Sequence, residues 1–221
     1  MNRIFHAWLL LLLPLAHGSA LADTIFESGT LGATGVTWSE VENQVSLGAN
    51  ISSFAFNGVK FHLSQTVITT SIGGHFVAPN DGTFFGAIVA LDDETDFPDS
   101  GDLSTPDTLG HALLNCPISS AEVFGDLNLS LDPGWYALAF GSGLFGATGA
   151  GAALLNNPDI GTPQYIGHQP LSGSSWGNLL NPIFRNYRLV VEGNIVPEPA
   201  CAVLVAAVAL FAVPIRAARY R

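Results

Sequence analysis

The chain has 221 residues, with 18 acidic side chains against seven basic ones and a formal net charge of −11. Between Asp23 and Ile195 the imbalance is steeper: Lys60, Arg185 and Arg188 are the basic residues, set against 17 acidic ones. So acidic a surface is repelled by phosphate backbones and by anionic headgroups, which argues against nucleic acid as a partner.

The first 22 residues read as a signal peptide. Arg3 forms a short basic start, an apolar run spans Ala7 to Ala16, and Ala20-Leu21-Ala22 is the small-x-small pattern that signal peptidase cuts. Removal leaves a body of the size of one domain. Cys116 is its lone cysteine, so no disulfide within the body is available and stability rests on the core. The thiol, in Leu-Leu-Asn-Cys-Pro-Ile, reads as a small buried group.

Along the body, helical periodicity is nearly absent. Short alternating or apolar runs predict strands at Val36–Val41, Ser52–Phe56 and Val59–Leu63, with Asn57-Gly58 as a hairpin signal between the last two. Further strands are predicted at Thr66–Ile72, Gly74–Ala78, Thr83–Leu91, Leu127–Leu131, Gly134–Phe140 and Tyr187–Gly193. Thr66–Ile72 alternates and should be half-buried. Thr83–Leu91 is apolar on both faces and should be central. Around Leu109–Leu114 a single buried helix is an open alternative, without effect on the fold class. Turn signals stand at Pro79-Asn80-Asp81-Gly82 and Asp132-Pro133-Gly134. The pattern predicts an all-β fold, a two-sheet sandwich or jelly roll.

Four motifs suggest chemistry. Gly141-Ser142-Gly143-Leu144-Phe145-Gly146 fits G-x-G-x-x-G, yet no βαβ unit surrounds it, so it reads as a glycine-rich loop. Gly173-Ser174-Ser175-Trp176-Gly177 fits G-x-S-x-G, but no histidine follows His168, as the nucleophile elbow's chain order requires. The acidic run from Asp92 to Asp102 offers hard oxygens for calcium without the spacing of an EF-hand loop, and reads first as a solvated loop. His75, His111 and His168 are irregularly spaced and read as polar positions at strand ends. No catalytic or metal site is assigned from these residues. Trp176, among Ser, Gly and Asn, is the aromatic best placed to be exposed and to stack on a sugar ring, and reads first as a loop anchor packed on the sandwich.

The chain closes on Val196-Pro197-Glu198-Pro199, an uncharged apolar run from Ala200 to Ile215, and Arg216, Arg219 and Arg221. The run predicts a transmembrane helix, short but extendable by its flanks. Arginines at its far side keep that end cytoplasmic, and the two prolines stop the helix from extending backward. This order of features resembles the PEP-CTERM sorting signal of Gram-negative bacteria. The resemblance implies recognition by an exosortase, removal of the tail near Pro197–Pro199, and delivery to the cell surface or extracellular matrix. The body phrases Ile72–Phe76, Phe85–Leu91, Gly134–Gly149 and Arg188–Gly193 are similar to the bodies of other proteins with this tag. That similarity implies a secreted β-sandwich of unassigned activity.

The sequence is therefore organised as signal peptide 1–22, sandwich 23–195 and sorting tail 196–221. The expected role is a structural or adhesive one at a biofilm surface, without catalysis. The alternative is a lectin-like module binding extracellular polysaccharide, with calcium as an optional aid.

Overall fold

The computed structural model of the protein describes residues 22–161, 163–179 and 186–197. Within them the order is β1 (Asp23–Glu27), α1 (Trp38–Asn43), a 3-10 turn (Val45–Leu47), β2 (Gly48–Ile51), β3 (Phe56–Leu63), β4 (Val67–Val77), β5 (Thr83–Leu91), β6 (Thr108–Asn115), β7 (Ala121–Asp126), β8 (Ser130–Leu131), β9 (Gly134–Gly141), β10 (Gly151–Leu154), β11 (Gln164–His168), a 3-10 turn (Pro170–Ser172), β12 (Gly177–Asn178) and β13 (Leu189–Ile195). Two antiparallel sheets result.

The eleven residues of β4 carry the first sheet. β13 pairs with it from Val67 to Gly74 and β10 continues at Phe76–Val77; β7 and β8 line its other side. β1 lies outside β13, and β2 outside β10. The second sheet runs β12-β11-β3-β9-β5-β6. Connections at Ser52–Ala55, Pro79–Gly82 and Asp132–Pro133 carry the chain from one sheet to the other, so the expected turns cap the sandwich rather than close hairpins.

Alternation fixes which face is inside. Val59, Phe61, Phe84, Ile88, Leu138 and Phe140 of the second sheet meet Ile72, Phe76, Leu189 and Val191 of the first in one core. The opposite face of the second sheet is covered too: Phe85, Ala87, Val89, Ala137, Ala139 and Ile166 lie under Trp176, Leu103, Phe97 and Phe145 from loops. This second cover is why β5 is apolar on both faces, and it sits between β9 and β6 as expected. α1 covers the first sheet's outer face, laying Val41 on Val77, Ala152 and Leu154.

Several expectations fail for local reasons. Val36–Val41 is largely helix, because Glu40 turns back so that its carboxylate accepts from the Thr37 N–H at 2.7 Å and from its hydroxyl at 2.8 Å. Asn57-Gly58 is not a turn but the interior of β3. A Cβ on Gly58 would come within 2.7 Å of the Leu138 carbonyl oxygen, so the glycine serves close strand packing. The turn is instead at Ser52, whose N–H donates to the Ala55 carbonyl at 3.1 Å. The two strands expected around Gly73 are one, β4. Leu109–Leu114 is strand β6, since its alternate residues Ala112 and Leu114 reach the core. Leu127–Leu131 keeps only Ser130–Leu131 as strand.

Ala22 and Pro197 bracket the described body. Ala20, Glu198, Pro199, Arg216, Arg219, Arg221 and the apolar run 200–215 lie outside the described residues. Among the described residues no helix is long and apolar enough to cross a membrane.

Candidate functional site

None of the singled-out motifs has the local geometry that its family's chemistry needs. The Gly141–Gly146 segment ends β9 and turns, with Gly143 at φ +82° and Phe145 at φ +54°, and leads to a strand instead of the helix a dinucleotide requires. Gly173–Gly177 follows a 3-10 turn and enters β12, so no strand-turn-helix presents Ser175. His75 is in the first sheet; His111 and His168 are on the second, at β6 and at the end of β11. Among the described residues no group of three or more His, Cys, Asp or Glu side chains converges on one point.

The acidic run satisfies itself. Asp93 accepts from the N–H and hydroxyl of Thr95, each at 2.7 Å; Asp96 accepts from the Asp92 N–H at 2.8 Å; Asp102 accepts from the Ser104 hydroxyl at 2.7 Å. Hydrogen bonds from Thr95 and from Ser104 hold Asp93 and Asp102 below the usual carboxylate range. Lys60, 3% exposed, ties this loop to the sheet. Its ammonium donates to the Glu94 carbonyl at 2.9 Å and lies 3.7 Å from the centre of the Phe97 ring. Burial lowers its pKa, against the pull of Asp96, Asp93 and Glu94. Beside Lys60 a cavity of about 490 Å³ opens between Glu94, Gln164, Tyr165 and Asp159.

Of the two readings of Trp176, the structure shows the packed loop anchor and not the exposed platform. The indole is 4% exposed, stacks on His168 at 5.4 Å between centroids, and donates its N–H to the Ser100 carbonyl at 3.0 Å. Phe56 closes the same cluster, 5.7 Å from the His168 ring. Apolar cover from the Ser100–Leu103 loop outweighs the polar neighbours that made Trp176 look solvated.

What Trp176 backs is a groove at the end of the sandwich where β3 begins and β11 finishes. It has two hollows. One, of about 390 Å³, lies between Ser53, Asp102, Ser142 and Ser174. The other, of about 360 Å³, is lined by Asn50, Asn57, Gln169 and Asn178. Phe56, His168 and Ser174 belong to both. His168 is 7% exposed, and its buried Nδ1 has no hydrogen-bond partner among the described residues. Burial holds this imidazole below its ordinary pKa, so it is neutral near pH 7. Four segments far apart in sequence build the groove, among them parts of the Gly141–Gly146 and Gly173–Gly177 motifs and Asp102 at the end of the acidic run.

A second polar cluster is structural. Arg188, at the start of β13, pairs with Glu27 of β1 and Glu122 of β7 and donates to the Gly29 carbonyl at 2.6 Å. Beside it His75 is fully buried. Its Nδ1 donates to Asn157 Oδ1 at 2.9 Å, an oxygen that also accepts the Gly32 N–H.

Cys116 is buried and free, and burial pushes its thiol up to about 11. Such a thiol is a packing group.

No family model, no curated protein and no solved structure matches the chain.

Proposed function

We propose that the chain is an exported cell-surface or extracellular-matrix protein, sorted and processed by an exosortase, with a structural or adhesive role and no catalysis. The observation that carries this reading is the ordered C-terminal signal: Pro197-Glu198-Pro199, the apolar run, then Arg216, Arg219 and Arg221. The placement of the body's ends is compatible with it. β13 ends at Ile195, the Val196 N–H donates to the Thr66 carbonyl at 2.9 Å, and Pro197 follows with no donor to extend the ladder. Asp23 stands opposite Gly193, so the two ends of the described body lie at one corner.

Export in a host that carries an exosortase tests the reading. The full chain should mature to a product shorter by about the tail and appear outside the cell. The variant with Pro197, Glu198 and Pro199 replaced by alanine should stay longer and membrane-bound. Identical mass and location for the two would reject the sorting role.

A second reading, a carbohydrate-binding module, is favoured by one observation: the groove around His168 is lined by hydroxyls and amides.

A further inference from the structure

We propose that the two-hollow groove across His168 binds a linear neutral polysaccharide by direct hydrogen bonding, one sugar unit or pair of units in each hollow. The inference rests on the carbohydrate-binding reading, and does not depend on the sorting tail.

Charge narrows the ligand first. Asp102 is the ionised side chain among the described lining residues, and the body around it is strongly acidic. Anionic polymers are repelled, while neutral hydroxyl-rich ones are not. Shape narrows it again. Each hollow is within the size range of small-ligand sites, and both are open and lie side by side on a shared wall of Phe56, His168 and Ser174. Two adjacent open hollows suit a chain that passes over their shared wall, where a single enclosed cavity would suit a compact ligand.

The chemistry of the lining then matches sugar hydroxyls, which donate and accept at once. Serine hydroxyls and Asn and Gln amides do the same, and a carboxylate accepts. His168 is the central reader. Its ring is pinned from behind by Trp176 and Phe56, and a side chain on Gly101 would collide with it, so the imidazole is held in place before any ligand arrives. Its Nδ1 is buried away from solvent, so a ligand meets the imidazole through the rest of the ring edge, which lines both hollows. The indole therefore serves sugar binding by fixing the imidazole instead of by stacking on the ligand.

Affinity electrophoresis of the purified full chain tests the site, through gels holding a neutral glucan, a galactomannan or a xylan, with alginate as the anionic control. Retardation is expected in at least one neutral gel, not in alginate, and unchanged by EDTA. Ser174→Trp adds bulk at an exposed residue shared by both hollows, so the fold is untouched while the groove is filled. His168→Phe keeps the ring stack and removes both nitrogens. Each should weaken retention by about tenfold or more, the loss expected when a shielded hydrogen-bonding site is blocked or stripped. Leu171→Trp puts an indole on a residue 79% exposed and outside the groove lining, and should match the parent. Retention that survives Ser174→Trp would overturn the groove while leaving carbohydrate binding in place. Failure of the parent in every neutral gel would overturn both. Retention abolished by EDTA would overturn direct contact.

Discussion

Trp176 and His75 are each a large or polar side chain that the fold has shut away, and each leaves a measurable trace. Truncating Trp176 to alanine empties the space under the Ser100–Leu103 loop and strands the Ser100 carbonyl. A loss of about 3 kcal/mol is expected, lowering the melting temperature by about 6–12 °C for a domain of this size. A melt within 1 °C of the parent, about the scatter of a neutral surface change, would mean the indole is not packed as described. His75 gives a pH dependence. Burial, the largest influence, holds its imidazole below the ordinary 6.5; Arg188 acts in the same direction, while the Asn157 hydrogen bond and Glu122 oppose. The folded state thus binds the proton less readily than the unfolded chain. Its contribution is complete above about 6.5 and is lost as pH falls below that value. His168 is shifted the same way. Melting temperature should therefore fall from pH 7 to pH 5, and His75→Gln, which can still donate to Asn157, should flatten part of that slope. An unchanged slope in the variant would remove His75 from the linkage.

Strand pairing depends on contacts that no single strand displays. Arg188 joins β13 to β1 through Glu27 and to β7 through Glu122, so one guanidinium bridges the edge strand and both sides of β4. Arg188→Met would leave two carboxylates facing each other near a buried site. Since Glu27 and Glu122 keep partial contact with water, the expected loss is about 2–4 kcal/mol, toward the lower part of the range for breaking a buried pair. Urea titration reads this as a lower midpoint, and a loss under 1 kcal/mol would show a solvent-screened pair. What the sequence displayed followed the same rule. β5 and β9 were legible because their apolar runs are long and bounded by turn residues. β4 was read as two strands because Gly73-Gly74 looks like punctuation, although paired strands on both sides carry the ladder through it. β6 leaves a helix open as an alternative because Leu-Gly-His-Ala-Leu-Leu fits either period over so short a run. α1 was missed although Thr37-Trp38-Ser39-Glu40 is a capping-box pattern, since Val36, Thr37 and Trp38 favour strand by propensity. The parts of the groove carried local signals but their meeting did not: Asp102 closes the acidic run, Ser142 lies in the Gly141–Gly146 motif and Ser174 in the Gly173–Gly177 motif, and they join Ser53 only through the pairing of β3, β9 and β11.

Where the sandwich ends is a question about the chain as one object, and it sets the sharpest expectation for the tail. Every buried residue of the core clusters described lies between Val41 and Val191, and the last backbone bond of the body is made by Val196. Among the described residues, a cut just after Val196 therefore removes no core side chain and no strand pairing. A chain ending at Val196 should melt within about 2 °C of the full chain, which is under 1 kcal/mol at this size. A chain ending at Arg188 should not fold. It lacks β13, which stands between β1 and β4, so Leu189, Val190 and Val191 leave the core and β1 loses its partner. Thermal melts of the two truncations decide the matter. Equal stability at Val196 would make the fold and the sorting segment separable, as a processing enzyme that cuts near Pro197–Pro199 requires. A large loss at Val196 would mean that the tail packs on the body, and processing there would destabilise the protein it is proposed to release.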